Sequence, residues 1–137
     1  MSGGLRKRLT PAWAAIAAGC IAPYQPGGVS LPLPLPVDAF DRVVQTVALH
    51  YPALETDRAK FHVRSDWVSC EDRGAVGRRR LTMYLDPPAE LKAVVEVQYL
   101  HLDLFNRPYW TAPCGHPFWE RDILDEVERA VREGAGS

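Results

Sequence analysis

Between Asp38 and Tyr51 the apolar residues Phe40, Val43, Val44, Val47 and Tyr51 recur at helical spacing, with Asp41, Arg42 and Gln45 on the opposite side. Asp38 is placed to cap the first turn and Pro52 to stop the chain, which predicts a helix ending at about His50. The period then changes to two. From Phe61 to Cys70, Phe61, Val63, Ser65 and Trp67 alternate with His62, Arg64, Asp66 and Val68, the pattern of a strand with one buried face. Residues 71–77 read as a polar turn. Arg79 to Leu85 alternates again, placing Leu81, Met83 and Leu85 on one face, until Asp86, Pro87 and Pro88 break it. Leu91 to Leu102 is the longest strand signal and the natural centre of a sheet. Pro117 can open a second helix with an apolar stripe of Trp119, Ile123, Leu124, Val127, Ala130 and Val131, for which Gly134 is the predicted stop. The short connections favour antiparallel neighbours. The expected fold is therefore α+β and two-layered: a three-stranded antiparallel sheet with an N-terminal and a C-terminal helix packed on one face.

The chain of 137 residues has room for one such core, assigned to residues 37–134, with residues 135–137 as a disordered tail. Before it, residues 20–36 hold Pro23, Pro26, Gly27, Gly28, Pro32, Pro34 and Pro36, and Leu31 to Pro36 alternates leucine with proline. That composition predicts an extended tether; the competing expectation is a loop packed over the domain through its leucines. The balance of 47% hydrophobic and 24% charged residues excludes a wholly disordered chain, a coiled coil and a polytopic membrane protein. A net charge of -1 supplies no basic field to draw in nucleic acid, which is therefore not an expected partner.

The first 19 residues add a different kind of information. Arg6, Lys7 and Arg8 precede an apolar run from Leu9 to Gly19, the order of an export signal, and that run is too short to span a bilayer. It ends in Ala17-Ala18-Gly19-Cys20, which resembles the lipobox of bacterial lipoproteins. The resemblance covers about 20 residues. It implies that residues 1–19 are a signal peptide, that Cys20 is lipidated and becomes the mature N-terminus, and that the protein meets the membrane through that anchor in the bacterial cell envelope. Ile21, standing where an aspartate would favour inner-membrane retention, points to the outer membrane, facing the periplasm, and not to the inner. If Cys20 carries lipid, Cys70 and Cys114 remain either as one disulfide or as two unpaired thiols. If the lipobox is accidental, the same domain is a cytosolic protein-interaction module with a disordered N-terminus.

Candidate chemistry is sparse. His101, Asp103, Cys114 and His116 offer nitrogen, oxygen and sulfur ligands near the end of the third strand, a basis for a metal-binding or hydrolytic alternative. His62, Asp66, Glu71 and Asp72 could serve acid–base work near the first strand. No nucleophile elbow, phosphate loop or zinc-protease motif organises them, so no catalytic residue, cofactor or resident metal is expected. Arg78, Arg79 and Arg80 alternate faces of a strand, so Arg78 and Arg80 point together. Tyr109, Trp110, Phe118 and Trp119 either form a recognition surface or close one end of the core. The expectation is a non-catalytic binding or assembly module with an envelope protein partner, binding through Tyr109, Trp110, Arg78 and Arg80.

Overall fold

The computed structural model describes residues 24–136. The expected signal peptide, Cys20 and Ser137 lie outside the described residues. Among the described residues, eight strands and two helices follow in the order β1 (Gly27–Ser30), α1 (Ala39–Ala48), β2 (Glu55–Asp57), β3 (His62–Arg64), β4 (Val68–Asp72), β5 (Ala75–Asp86), β6 (Glu90–Leu102), β7 (Pro108–Trp110), β8 (Cys114–Gly115) and α2 (Pro117–Gly136). The α+β class and the antiparallel sheet are as expected, but the sheet has eight strands and not three.

The long hairpin β5–β6 is its spine, paired from Gly77↔Tyr99 to Asp86↔Glu90. On one side of β5 lie β3, with β2 outside it, and β4. On the free side of β6 lie β1, β8 and β7 in succession. The strand expected over Phe61–Cys70 is two strands, because Ser65 interrupts the ladder: its hydroxyl accepts the Leu81 N–H at 2.9 Å and donates to the Asp66 carbonyl. The expected turn over 71–77 shrinks to Arg73 and Gly74, both at positive φ, so pairing continues through Asp72 and restarts at Ala75.

One face of the spine is covered. Leu81 and Met83 on β5 and Leu91, Ala93, Val95 and Val97 on β6 are buried, whereas the residues between them are half-exposed. The covering layer is both helices, whose Phe40, Val43 and Val47 from α1 and Ile123, Leu124, Val127 and Val131 from α2 join the same core. Asp38 precedes α1 as expected, but its carboxylate pairs with Arg42 and caps no backbone N–H. Gly134 does not end α2, which runs to Gly136 and so takes in most of the expected tail.

The expected tether is largely part of the domain. Gly27–Ser30 is an edge strand, Leu31 is 5% exposed, and Leu35 packs against the core, as in the packed-loop alternative. A gap in the edge between β1, which reaches Ala93, and β8, which starts at Glu96, is closed by a helix side chain. Glu120 of α2, 0% exposed, accepts the Val95 N–H at 3.0 Å, the Gly27 N–H at 3.2 Å and the Tyr24 hydroxyl. Gly115 leaves the room that the Tyr24 ring occupies. Among the described residues no helix is long and apolar enough to cross a membrane.

Candidate functional site

The sheet face on which neither described helix packs is the first of two functional candidates. Strand alternation sends Arg78, Arg80, Thr82 and Tyr84 of β5 and Lys92, Val94, Glu96 and Gln98 of β6 to this face, all half-exposed. Arg78 is held on three sides. Its Nε donates to Gln98 at 2.8 Å, and its guanidinium carbon lies 4.7 Å from the Trp67 ring centre and 4.3 Å from that of Trp110. Arg80 stands beside it, 4.4 Å from the Trp67 ring, and donates to Glu96 at 3.0 Å. Gln98 in turn donates to the Thr111 carbonyl, which ties the platform to the strand that delivers Trp110. Two indoles and two guanidiniums are thereby fixed in one surface before any ligand arrives.

On the covered side, Arg79 enters between the helices. Its guanidinium lies 4.9 Å from the Tyr51 ring and 4.7 Å from the Trp119 ring, and its Nε is buried with no hydrogen-bond partner. These groups line a cavity of about 300 Å³ with His50, Asp122 and Glu126. Burial pushes the Tyr51 phenol up to about 12, against the opposing pull of the Arg79 charge. Close by, the Asp72 carboxylate accepts the Tyr99 hydroxyl at 2.6 Å and contacts His116 Nε2 at 3.3 Å. The Tyr99 hydroxyl, and after it His116, hold the Asp72 carboxyl below its ordinary value; burial and the same carboxylate push Tyr99 up to about 12. His116 Nδ1 accepts the Trp119 backbone N–H and the imidazole stacks on that indole at 3.9 Å. Both of its nitrogens are engaged, so the imidazole orients the start of α2 and has no lone pair left for a substrate proton. The Cys70 thiol, raised by burial, stays protonated at neutral pH, opposite to what a nucleophile requires.

Of the residues expected to bind, Arg78, Arg80 and Trp110 meet on the open face. Tyr109 does not join them: it is paired with His101, and the two rings contact edge to face on the other side of their strands. The metal-ligand set is not assembled. His101 packs on Tyr109, the Asp103 carboxylate accepts the backbone N–H groups of Phe105 and Arg107, and no group of three potential ligands gathers among the described residues. His62, Asp66 and Asp72 likewise sit in separate hydrogen-bonding environments. Neither state expected for Cys70 and Cys114, one shared disulfide or two unpaired thiols, is found: Cys70 is a free thiol, while Cys114 is disulfide-bonded. Trp67 and Arg79 make cation–π contacts that strand alternation alone does not reveal; the signal in the sequence is the alternation of aromatic and basic residues on adjacent strands.

Compared with known proteins, the chain matches no family model and no curated sequence.

Proposed function

We propose that this is a bacterial envelope protein, processed at Cys20 as a lipoprotein, whose α+β domain is a non-catalytic binding module that uses the sheet face opposite its two described helices. The observation that carries the binding reading is the clamped Arg78 between Trp67 and Trp110. Large rings and guanidiniums held in place lose little conformational freedom when a partner docks, which is what concentrates binding energy in such residues. The engaged nitrogens of His116 and the protonated thiol of Cys70 support a non-catalytic role.

A photo-crosslinking amino acid at Thr82, on the open face, should give a discrete envelope-protein adduct in cells, and the same group at Arg132 on α2 should not. Trp110→Ala should abolish the adduct without changing the melting temperature. Equal crosslinking from both positions, or loss of the fold in Trp110→Ala, would refute the open-face reading.

The state of Cys114 favours a second reading of the anchor. A sulfur bonded to Cys114 cannot also carry a thioether-linked lipid, and Cys20 is the remaining cysteine of the sequence. In that reading the protein is exported and Cys20 is taken up in a disulfide, with no acyl chain. Both readings place the protein in an oxidising compartment, and a peptide map of the Cys20 segment distinguishes them.

A further inference from the structure

The residues from Leu100 to Trp110 extend past the point where β5 stops pairing with β6, whose last β5 partner is Tyr99. They form a two-stranded ribbon, Leu100↔Trp110, His101↔Tyr109 and Leu102↔Pro108, with no third strand beside it among the described residues. Its turn is built to be stiff. Asp103 Oδ1 accepts the Phe105 and Arg107 N–H groups at 2.8 and 2.9 Å, and Asn106 adopts a positive φ of 59°. This firm turn displays Leu104 at 98% exposure and Phe105 at 76%, with Leu102 behind them and Tyr109 and Trp110 at the base. Such a run of exposed large apolar groups on a convex projection needs an occupant.

We propose that this ribbon is a membrane finger, which inserts Leu104 and Phe105 into the surface of a bilayer rich in anionic phospholipid. Three features select that occupant. The apolar groups are graded, with aliphatic and phenyl side chains at the tip and amphipathic Tyr109 and Trp110 at the base, the order in which a bilayer interface accepts them. The tip also offers an exposed cation to a lipid phosphate: the Arg107 guanidinium lies 5.5 Å from the Phe105 ring centre, while Asp103 is engaged through Oδ1 by two backbone N–H groups. The place where the N-terminal segment joins the domain also fits. Tyr24 packs against Gly115, which pairs with Glu96, and the ribbon begins four residues further along the same edge of β6, about 13 Å away at strand spacing. From Cys20 to Tyr24 the chain can span at most about 14 Å. That reach brings Cys20 at most level with the base of the ribbon, so an acyl group there would enter the bilayer at the same end of the sheet as the finger. The proposal rests on the envelope reading for the membrane itself, but not on acylation.

The test uses the full chain carrying Cys20→Ala, which has no acyl group, mixed with vesicles of phosphatidylglycerol and phosphatidylethanolamine. It should sediment with them, with the affinity falling about tenfold or more for each of Leu104→Asp and Phe105→Asp. Val37→Asp, at a position 101% exposed before α1, should bind unchanged. The indole introduced by Phe105→Trp should be quenched by lipids brominated on the acyl chain. Absence of vesicle binding, equal binding by the Asp variants, or an unquenched indole would overturn the finger. A solution dimer dissolved by Leu104→Asp would overturn it in favour of a second copy of the chain. The mass of wild-type protein reports the anchor separately: an acylated Cys20 beside a Cys20→Ala chain that ignores vesicles leaves the anchor standing without the finger, and the converse pair leaves the finger without the anchor.

Discussion

Glu120 is an ionisable residue at the heart of the apolar seam, and its three donors explain why it is tolerated there. One oxygen accepts the Val95 N–H and the Tyr24 hydroxyl, and the other accepts the Gly27 N–H. Glu120→Gln substitutes an N–H₂ group for one acceptor and sets donor against donor, so it should cost about 1–3 kcal/mol in urea unfolding. Tyr24 follows from the same contact: burial, then the hydrogen bond and charge of Glu120, push its phenol above the ordinary value. Tyr51 and Tyr99 are both raised to about 12 from 10.0, so the unfolded chain loses those protons first. Their contribution is complete below pH 10 and is lost as the pH rises towards 12; titration of absorbance at 295 nm should show these phenols ionising late, with Tyr99→Phe removing one. Asp72 has the opposite sign. Its depressed pKa contributes stability above the ordinary carboxylate value of 3.8 that is lost as the pH falls through the folded value, and Asp72→Asn should flatten that acid limb.

At the scale of elements, the β5–β6 hairpin depends on a close approach at Gly77. A Cβ there would lie 2.8 Å from the Gln98 carbonyl oxygen, which is backbone and cannot step aside. Gly77→Ala should therefore destabilise the domain by about 1–3 kcal/mol and weaken hydrogen-exchange protection along both strands more than in α1. The same elements show what local pattern can carry. Both helices and the β5–β6 spine were legible because long stretches of 3.6 or 2 periodicity have few alternative readings. The short strands were not. Gly27–Ser30 and Cys114–Gly115 hold too few residues for a period to appear, and they are strands only because β6 offers an unpaired edge. The break at Ser65 was hidden for a related reason: its hydroxyl replaces a ladder hydrogen bond without disturbing the alternation of side chains.

For the whole molecule, the two layers separate stability from recognition. The helices cover one face, while the other keeps Trp67, Arg78 and Trp110 accessible and fixed. Arg78, Arg80 and Trp110 could be proposed from the sequence because alternation assigns a face, but their stacking with Trp67 depends on how β4 and β7 flank the spine, which no local pattern encodes. The state of the cysteines was not legible, because parity cannot choose a pairing. With Cys70 free, Cys70→Ser should leave thermal stability unchanged in oxidising buffer; reductant should lower it in both proteins where Cys20 closes the Cys114 disulfide, and in neither where Cys20 carries lipid. The most direct test of the envelope account is intact-mass analysis and peptide mapping of membrane and soluble fractions from a bacterial host, comparing wild type with Cys20→Ala. The account predicts a membrane-associated wild type that has lost residues 1–19 and carries acyl mass on Cys20, with that processing lost in Cys20→Ala. A soluble wild-type product retaining Met1 to Gly19, with no acyl mass, would contradict it.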